Sequence, residues 1–347
     1  MKKSIALLLA LVMMFCLILA GCGEANEAPA DNAPADNADT AEPAETADEG
    51  SASGEVTNIS FASGGTSGTY YGFTGIVAQV LNQELADIMN ITVESTGASK
   101  ANVQLVDAGE CNMAIVQNDV MYYAYSATDM FEGESAVESF SAVCSCYPEY
   151  VQIIAKPDIT SIADLKGKNV SVGDAGSGCE FNARQILAAY DISFDDIAVT
   201  NQSFADSADS LKNGTIDAAF VVAGYPTTAV TELATTYEFN ILPIDEEHAA
   251  ALQSDYSFYT YGSIPADTYS CVSEDVPAVA VMATIIASND LSADVVYNFV
   301  KGMFDYQDDI TAGHSKGAEL SLESAVSGIS IPFHPGAQQY FQEVGAM

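Results

Sequence analysis

The sequence predicts an α/β fold built on mostly parallel sheets flanked by helices, and three observations predict it. Strand-like and helix-like runs alternate from residue 56 to the C-terminus, the pattern of parallel-sheet proteins. Two of the strand-to-helix junctions are glycine-serine loops, one in each half of that region. The alternating region is also too long for one small core, which calls for two domains.

The strand-like runs are 56–62, 90–95, 112–117, 138–145, 150–155, 169–173, 216–223, 239–243 and 278–287. The helix-like runs are 70–88, 98–108, 119–127, 178–190, 203–213, 226–236, 292–305 and 336–345. The first helix carries Phe73, Ile76, Val77, Val80 and Leu81 at helical spacing. The fourth carries Phe181, Ile186, Leu187 and Ala188. No Pro/Gly-rich linker separates the halves, so strands or short segments must make any crossing between them.

The first glycine loop is Ser63-Gly64-Gly65-Thr66-Ser67-Gly68-Thr69-Tyr70-Tyr71-Gly72. Strand, glycine loop and helix together aim backbone N–H groups and a helix N-terminus at an anion. No Lys-Ser/Thr pair follows the last glycine, so this is not a Walker loop, and the spacing does not fit a dinucleotide fingerprint. The second loop, Gly173-Asp174-Ala175-Gly176-Ser177-Gly178-Cys179, follows the strand Asn169–Val172. Two such units suggest two lobes presenting helix N-termini to one cleft.

Ahead of this region, Lys2 and Lys3 precede an apolar run from Ile5 to Ala20, shorter than the ~18–20 residues of a spanning helix. The pattern is that of a signal peptide over 1–21. Its end, Leu19-Ala20-Gly21-Cys22, resembles a bacterial lipobox, which implies cleavage before Cys22 and lipidation of its thiol. Residues 22–55 hold no aromatic or basic residue. They read as a flexible acidic tether that cannot bury enough apolar surface to order itself. The chain is thus expected to sit outside the cytoplasm, anchored to the cell membrane.

The formal charge of the whole chain is −38. Ten acids lie in the tether, leaving 38 acids against eight basic residues from 56 onward. Such a surface excludes nucleic acid as a partner, because binding it needs phosphate neutralisation. The acidity also disfavours an anionic ligand at long range, although salt screens charges beyond ~8–10 Å and local donors can win inside a cleft. Cys111, Cys144, Cys146, Cys179 and Cys271 form no zinc motif, and His248, His314 and His334 lie far apart. Neither a metal nor any other cofactor is called for.

Several segments together resemble the TAXI proteins, the solute-binding components of one branch of the TRAP transporters. They are Ile59 to Tyr71, Val93-Glu94-Ser95-Thr96-Gly97-Ala98-Ser99, Ala114-Ile115-Val116-Gln117-Asn118-Asp119 and Asp164-Leu165-Lys166-Gly167-Lys168. Further along come Gly176-Ser177-Gly178, Asn182 to Leu187, Asp217 to Phe220, Gly224-Tyr225-Pro226 and Ile331 to Ala337. The match runs in order over about 56 to 347. It departs at Cys179, where the family usually shows Thr, so a hydroxyl donor is replaced by a weaker thiol donor.

The resemblance implies a two-lobed, type II periplasmic-binding-protein fold, with lobe one at 56–150 plus 266–347 and lobe two at 151–265. It implies a monomer that captures a small organic anion, a glutamate-like amino acid or C5 dicarboxylate, and delivers it to TRAP membrane permease subunits. Ser63, Gly65, Thr66 and Tyr70 would meet the ligand from lobe one, with Ser95 and Gln117 on the same wall. Ser177, Gly178 and Cys179 would meet it from lobe two, with Tyr225 packing over it. Other readings stay open: Asp119 as a helix cap beside Gln117, one of Tyr70 and Tyr71 facing the core, and Tyr225 as a structural aromatic. Arg184, the only arginine, falls on the apolar stripe of its helix and is expected to be either a ligand carboxylate clamp or a buried structural pair. Two rival functions share this fold. The binding protein of an ATP-driven importer is separated only by the resemblance, and an extracytoplasmic enzyme lacks a catalytic constellation.

Overall fold

A computed structural model describes residues 56–347. The signal peptide, Cys22 and the tether lie outside the described residues.

The first half alternates β1 (Thr57–Ala62), α1 (Thr69–Glu84), β2 (Met89–Glu94), α2 (Ser99–Asp107), β3 (Met113–Gln117) and α3 (Asn118–Ser126). A long strand, β4 (Phe140–Ala155), then leads to β5 (Asn169–Ser171), α4 (Gly178–Ala189), β6 (Ala198–Thr200), α5 (Phe204–Lys212), β7 (Ala218–Ala223), α6 (Thr228–Ala234) and β8 (Asn240–Ile241). After α7 (Glu246–Asp255) and β9 (Thr260–Ile264), a second long strand, β10 (Val276–Ser288), returns to the first half. Helices α8 (Ala293–Asp305), α9 (Gln307–Gly313), α10 (Leu322–Ala325) and α11 (Pro335–Glu343) complete the chain.

Among the described residues all ten strands belong to one mixed sheet, whose main path is β2-β1-β3-β10-β4-β7-β5-β6. Pairing is parallel within β2-β1-β3 and within β7-β5-β6. The antiparallel β4–β10 pair joins the two parallel sets. This is the expected α/β fold, a curled sheet with helices on both faces, of the periplasmic-binding-protein type II class.

Four apolar cores follow from the alternation of side chains across the sheet. In the first half, α1, α8 and α11 pack on one face through Phe73, Leu81, Phe299 and Phe341. Helices α2 and α3 pack on the other through Val103, Val106, Val120 and Met121. In the second half, α4 and α7 cover one face and α5 and α6 the other.

Strand β4 serves both halves. Phe140 to Tyr147 pack in the first-half cores and Val151 to Ala155 in the second-half cores. The register against β10 shifts between Ala283 and Thr284 and again between Ile285 and Ile286. Such bulges re-aim side chains, and Val143 and Cys144, though adjacent, both reach the same core. Strand β10 makes the reverse passage: Ala278, Val279 and Val281 pack in the second half, Ala283 and Ile285 in the first. The second crossing therefore lies inside β10. Tyr269 and Val272, just past the boundary expected at 265/266, pack with the second half as well.

Two strands expected at 138–145 and 150–155 are one. Pro148 stands opposite Met282, and the Met282 N–H turns instead to Oδ1 of Asn118 at 3.0 Å. Pro148 itself has no N–H to give the ladder, yet the strand continues through it.

Candidate functional site

The cleft lies where the carboxyl ends of the strands in both halves meet the following helices. From the first half come the loop after β1 and the starts of α1, α2 and α3. From the second come the loop after β5, the start of α4, Phe204 of α5 and the end of β7. About 540 Å³ of empty space lies between these atoms, mouth included, and about 50 Å³ of it admits the centre of a water molecule.

Helix N-termini dominate the lining. Gly68 precedes α1 with extended backbone and no side-chain cap, and α2 and α3 likewise start without one. Their first-turn N–H groups have no backbone partner within the helix and carry the positive end of the helix dipole, although in α3 the Val120 N–H donates to Asp119 Oδ1 at 2.9 Å. Ser177 does cap α4, its Oγ accepting from the Glu180 N–H at 3.1 Å. Glu180 in turn accepts from the Gly176 N–H at 2.7 Å, which braces the loop. At the start of α2, Ala98 has φ 67° and ψ −148°, a backbone region that costs a non-glycine residue roughly 1–3 kcal/mol.

Two carboxyl groups line the cavity, Glu149 from β4 and Asp174 from the second loop. Glu149 is buried, and its Oε2 accepts from the Tyr70 hydroxyl at 2.6 Å. Burial pushes its carboxyl well above the usual carboxylate range, against the pull of the Tyr70 bond and the Lys316 charge. Burial also raises Asp174. No Lys, Arg or His side chain is part of the lining.

The two halves touch across this cleft. The Thr69 hydroxyl donates to the Gly224 carbonyl at 2.6 Å, and the Ala229 N–H to the Ser67 carbonyl at 3.2 Å. Gly178 lies so close to Gln117 that a Cβ there would fall 1.7 Å from Gln117 Oε1. Deeper in, Asn182 donates to Asp119 and to Tyr259, each at 2.9 Å, and Tyr259 donates to Gln185 at 2.6 Å. Burial pushes the Asp119 carboxyl up to about 6, opposed by its bond from Asn182.

Of the residues singled out from sequence, Gly65, Tyr70, Gln117, Ser177, Gly178 and Cys179 all line this cavity. The Cys179 thiol donates to the Phe220 carbonyl at 3.4 Å, and burial raises its pKa to about 12. Ser63 lies beneath the lining, with its Oγ 2.9 Å from the Thr74 hydroxyl. Thr66 is exposed on the outer side of the loop. Ser95 donates to the Gly64 carbonyl at 3.0 Å and borders a separate shallow groove with Thr96 and Gln104. Tyr225 is not part of this lining; its ring lies 5.1 Å from the Tyr150 ring and under the Lys316 ammonium at 4.6 Å.

Arg184 corrects the expectation of a buried arginine. Its side chain is 53% exposed, 3.7 Å from Glu180, and lies 3.9 Å over the Phe194 ring. The neighbours Ala183, Ile186 and Leu187 carry the apolar face, and Arg184 points off it. Sequence reasoning missed Glu149, Asp174 and Ser99. Glu149 had a signal: it is the one charged residue between Phe140 and Ala155, an otherwise uncharged strand.

Among the described residues, no group of three or more His, Cys, Asp or Glu is placed to hold a metal ion. No described helix is long and apolar enough to cross a membrane.

A family model described as the NMT1-like family matches residues 61–345. Solved structures with the same fold include a periplasmic transporter, 13% identical, covering 83% of this chain and 92% of that one, with a TM-score of 0.50. The periplasmic aliphatic sulphonate binding protein of Escherichia coli is 14% identical over 83% of this chain and 84% of its own, with a TM-score of 0.47. The glutamate-bound GluR0 ligand-binding core of Nostoc punctiforme is 15% identical over 76% of this chain and 100% of its own, with a TM-score of 0.45.

Proposed function

The chain belongs to the NMT1-like family, and from that premise we propose that it is an extracytoplasmic solute-binding protein that closes its two halves on a small carboxylate-bearing solute. One observation carries the reading. The cavity takes its lining from both halves, and it holds Gln117, a buried side chain whose amide oxygen has no partner. Buried polar atoms are rarely left unsatisfied without a reason, and a ligand supplies one. The uncapped starts of α1, α2 and α3 offer donors for a carboxylate.

A thermal-shift screen of amino acids, 2-oxo acids and dicarboxylates tests this directly. A ligand at 100 times its Kd adds ~2.7 kcal/mol to the folded state. A saturable rise in melting temperature with one class supports the reading, and a flat response to all of them refutes it.

Delivery to TRAP membrane subunits is the finer part of the proposal and rests on the motif series from Ile59 to Ala337. Delivery to an ATP-driven importer needs the same fold and the same cleft. Solute uptake by proteoliposomes holding a neighbouring-gene permease separates them: uptake without ATP supports the first, and a strict need for ATP supports the second. Anchoring through Cys22 is part of the same proposal. Cys22→Ala should release the protein from the membrane fraction, and unchanged membrane association would refute lipidation.

A further inference from the structure

The cavity lining is acidic and amidic without being basic. Glu149 and Asp174 bring carboxyl groups and Gln117 an amide, with no cationic side chain among the lining residues. Glu149 is 2% exposed and Gln117 3%. Tyr70 holds one Glu149 oxygen at 2.6 Å, and among the described residues nothing donates to the other. The Gln117 amide oxygen is likewise unpartnered. The cavity thus holds one buried acceptor without a donor, the Gln117 oxygen, beside a Glu149 carboxyl with one oxygen left to accept.

We propose that the cleft selects a solute carrying an ammonium group and at most one carboxylate, with Glu149 and Gln117 accepting from the ammonium and the uncapped first-turn N–H groups of α1 and α2 receiving the carboxylate. The inference deepens the solute-binding reading and rests on it. An ammonium has three donors and no acceptor, which matches the missing partners. It also brings the charge that favours the ionised form of a buried carboxyl. A dicarboxylate would place a second anion beside Glu149 and Asp174 with no cation to meet it, and burying an unpaired charge is costly.

The buried lysine of this region cannot take that role. Lys316 Nζ is already paired with Glu319 Oε1 at 2.6 Å and lies over the Tyr225 ring, outside the lining. Tyr70 acts as a positioning residue that fixes the Glu149 carboxyl from the start of α1. The proposal moves the specificity away from glutamate and C5 dicarboxylates toward neutral or basic amino acids and related amines.

The test is calorimetric titration of the full chain with matched probes: L-alanine and pyruvate, L-leucine and 4-methyl-2-oxopentanoate, L-glutamate and 2-oxoglutarate, together with L-arginine, putrescine and glutarate. A neutral or basic amine should bind at least about tenfold more tightly than the probes that lack an amine, as a lost hydrogen bond to a charged group implies. In Glu149→Gln, an isosteric change, the amine should lose about tenfold or more, and weak binding of the 2-oxo acids should change little. Should that variant fail to fold, the amine preference of the wild type decides alone, and Gln117→Ala provides a second reading at a side chain with no structural bond to lose. Glutarate or a 2-oxo acid binding as tightly as the amines overturns the inference and leaves solute binding intact. Binding by none of the probes overturns both.

Discussion

Asn182 on α4 donates to Asp119 at the start of α3 across 2.9 Å, and both side chains are buried. The pair ties the second half of the molecule to the first, a short distance from the cavity wall formed by Gln117 and Gly178. It makes the closed arrangement sensitive to the charge state of one carboxyl.

Burial pushes Asp119 up to about 6, above the ~3.9 of an unfolded aspartate. The folded state therefore binds this proton more tightly. The associated stability is fully present below pH ~4 and is lost as pH rises through about 6. With about two pKa units at 1.36 kcal/mol each, the loss is of order 3 kcal/mol. Asp119→Asn should remove this component, so the variant gains on the wild type as pH rises from 4 to 7. Melting curves at stepped pH check it, and parallel curves for the two proteins would sink the idea.

Ser177 both caps α4 and faces the cavity. Ser177→Ala should cost about 1 kcal/mol of stability through the lost cap. Because its hydroxyl hydrogen is free to meet the solute, affinity should also fall, by roughly tenfold. A melting curve and a titration on the same variant measure both. A lowered melting point with affinity preserved would reduce Ser177 to a cap.

Ala98 holds φ 67° and ψ −148° at the head of α2. Glycine adopts that conformation without a Cβ penalty. Ala98→Gly should therefore stabilise the protein by about 1 kcal/mol, read by urea denaturation. A destabilised variant would show that the backbone there is not strained.

Gly224 admits no side chain. A Cβ would fall 2.6 Å from Lys316 Cε and 3.0 Å from Tyr147 Cε2. Gly224→Ala should cost roughly 1–3 kcal/mol as overpacking and weaken the Thr69 bond to its carbonyl. An unchanged denaturation midpoint would contradict the packing described around Lys316.

Much of the fold was legible in the sequence because long apolar-periodic runs such as Phe73 to Leu81 admit one reading. The glycine loops were legible for the same local reason, and Gly65, Ser177 and Gly178 all line the cavity. The rest depended on tertiary structure. Helix α7 is mostly polar, with only Ala249 and Leu252 buried, so it shows little apolar period. Whether a loop residue faces the cleft turns on side-chain direction, which placed Tyr70 on the cavity and Thr66 in solvent. The place of Glu149 depends on β4 running unbroken past Pro148, which carries the carboxyl to the cavity between the halves. The apolar stripe of α4 put Arg184 one position off its true face.

The central claim is that a solute is held where the two halves meet, and Gly178 against Gln117 is the place to test it. A Cβ at Gly178 would stand 1.7 Å from Gln117 Oε1 and 3.1 Å from Val120 Cγ2, so Gly178→Ala must displace Gln117 or hold the halves apart. Displacing the Gln117 side chain should cost roughly 1–3 kcal/mol of stability as overpacking while the fold is kept. The decisive measurement is calorimetric titration of wild type and Gly178→Ala with the amine that most raises the wild-type melting temperature. The expected result is one site per chain in the wild type and at least about tenfold weaker binding in the variant, with its circular dichroism unchanged. Equal affinity in the two proteins would contradict the claim and move the solute elsewhere.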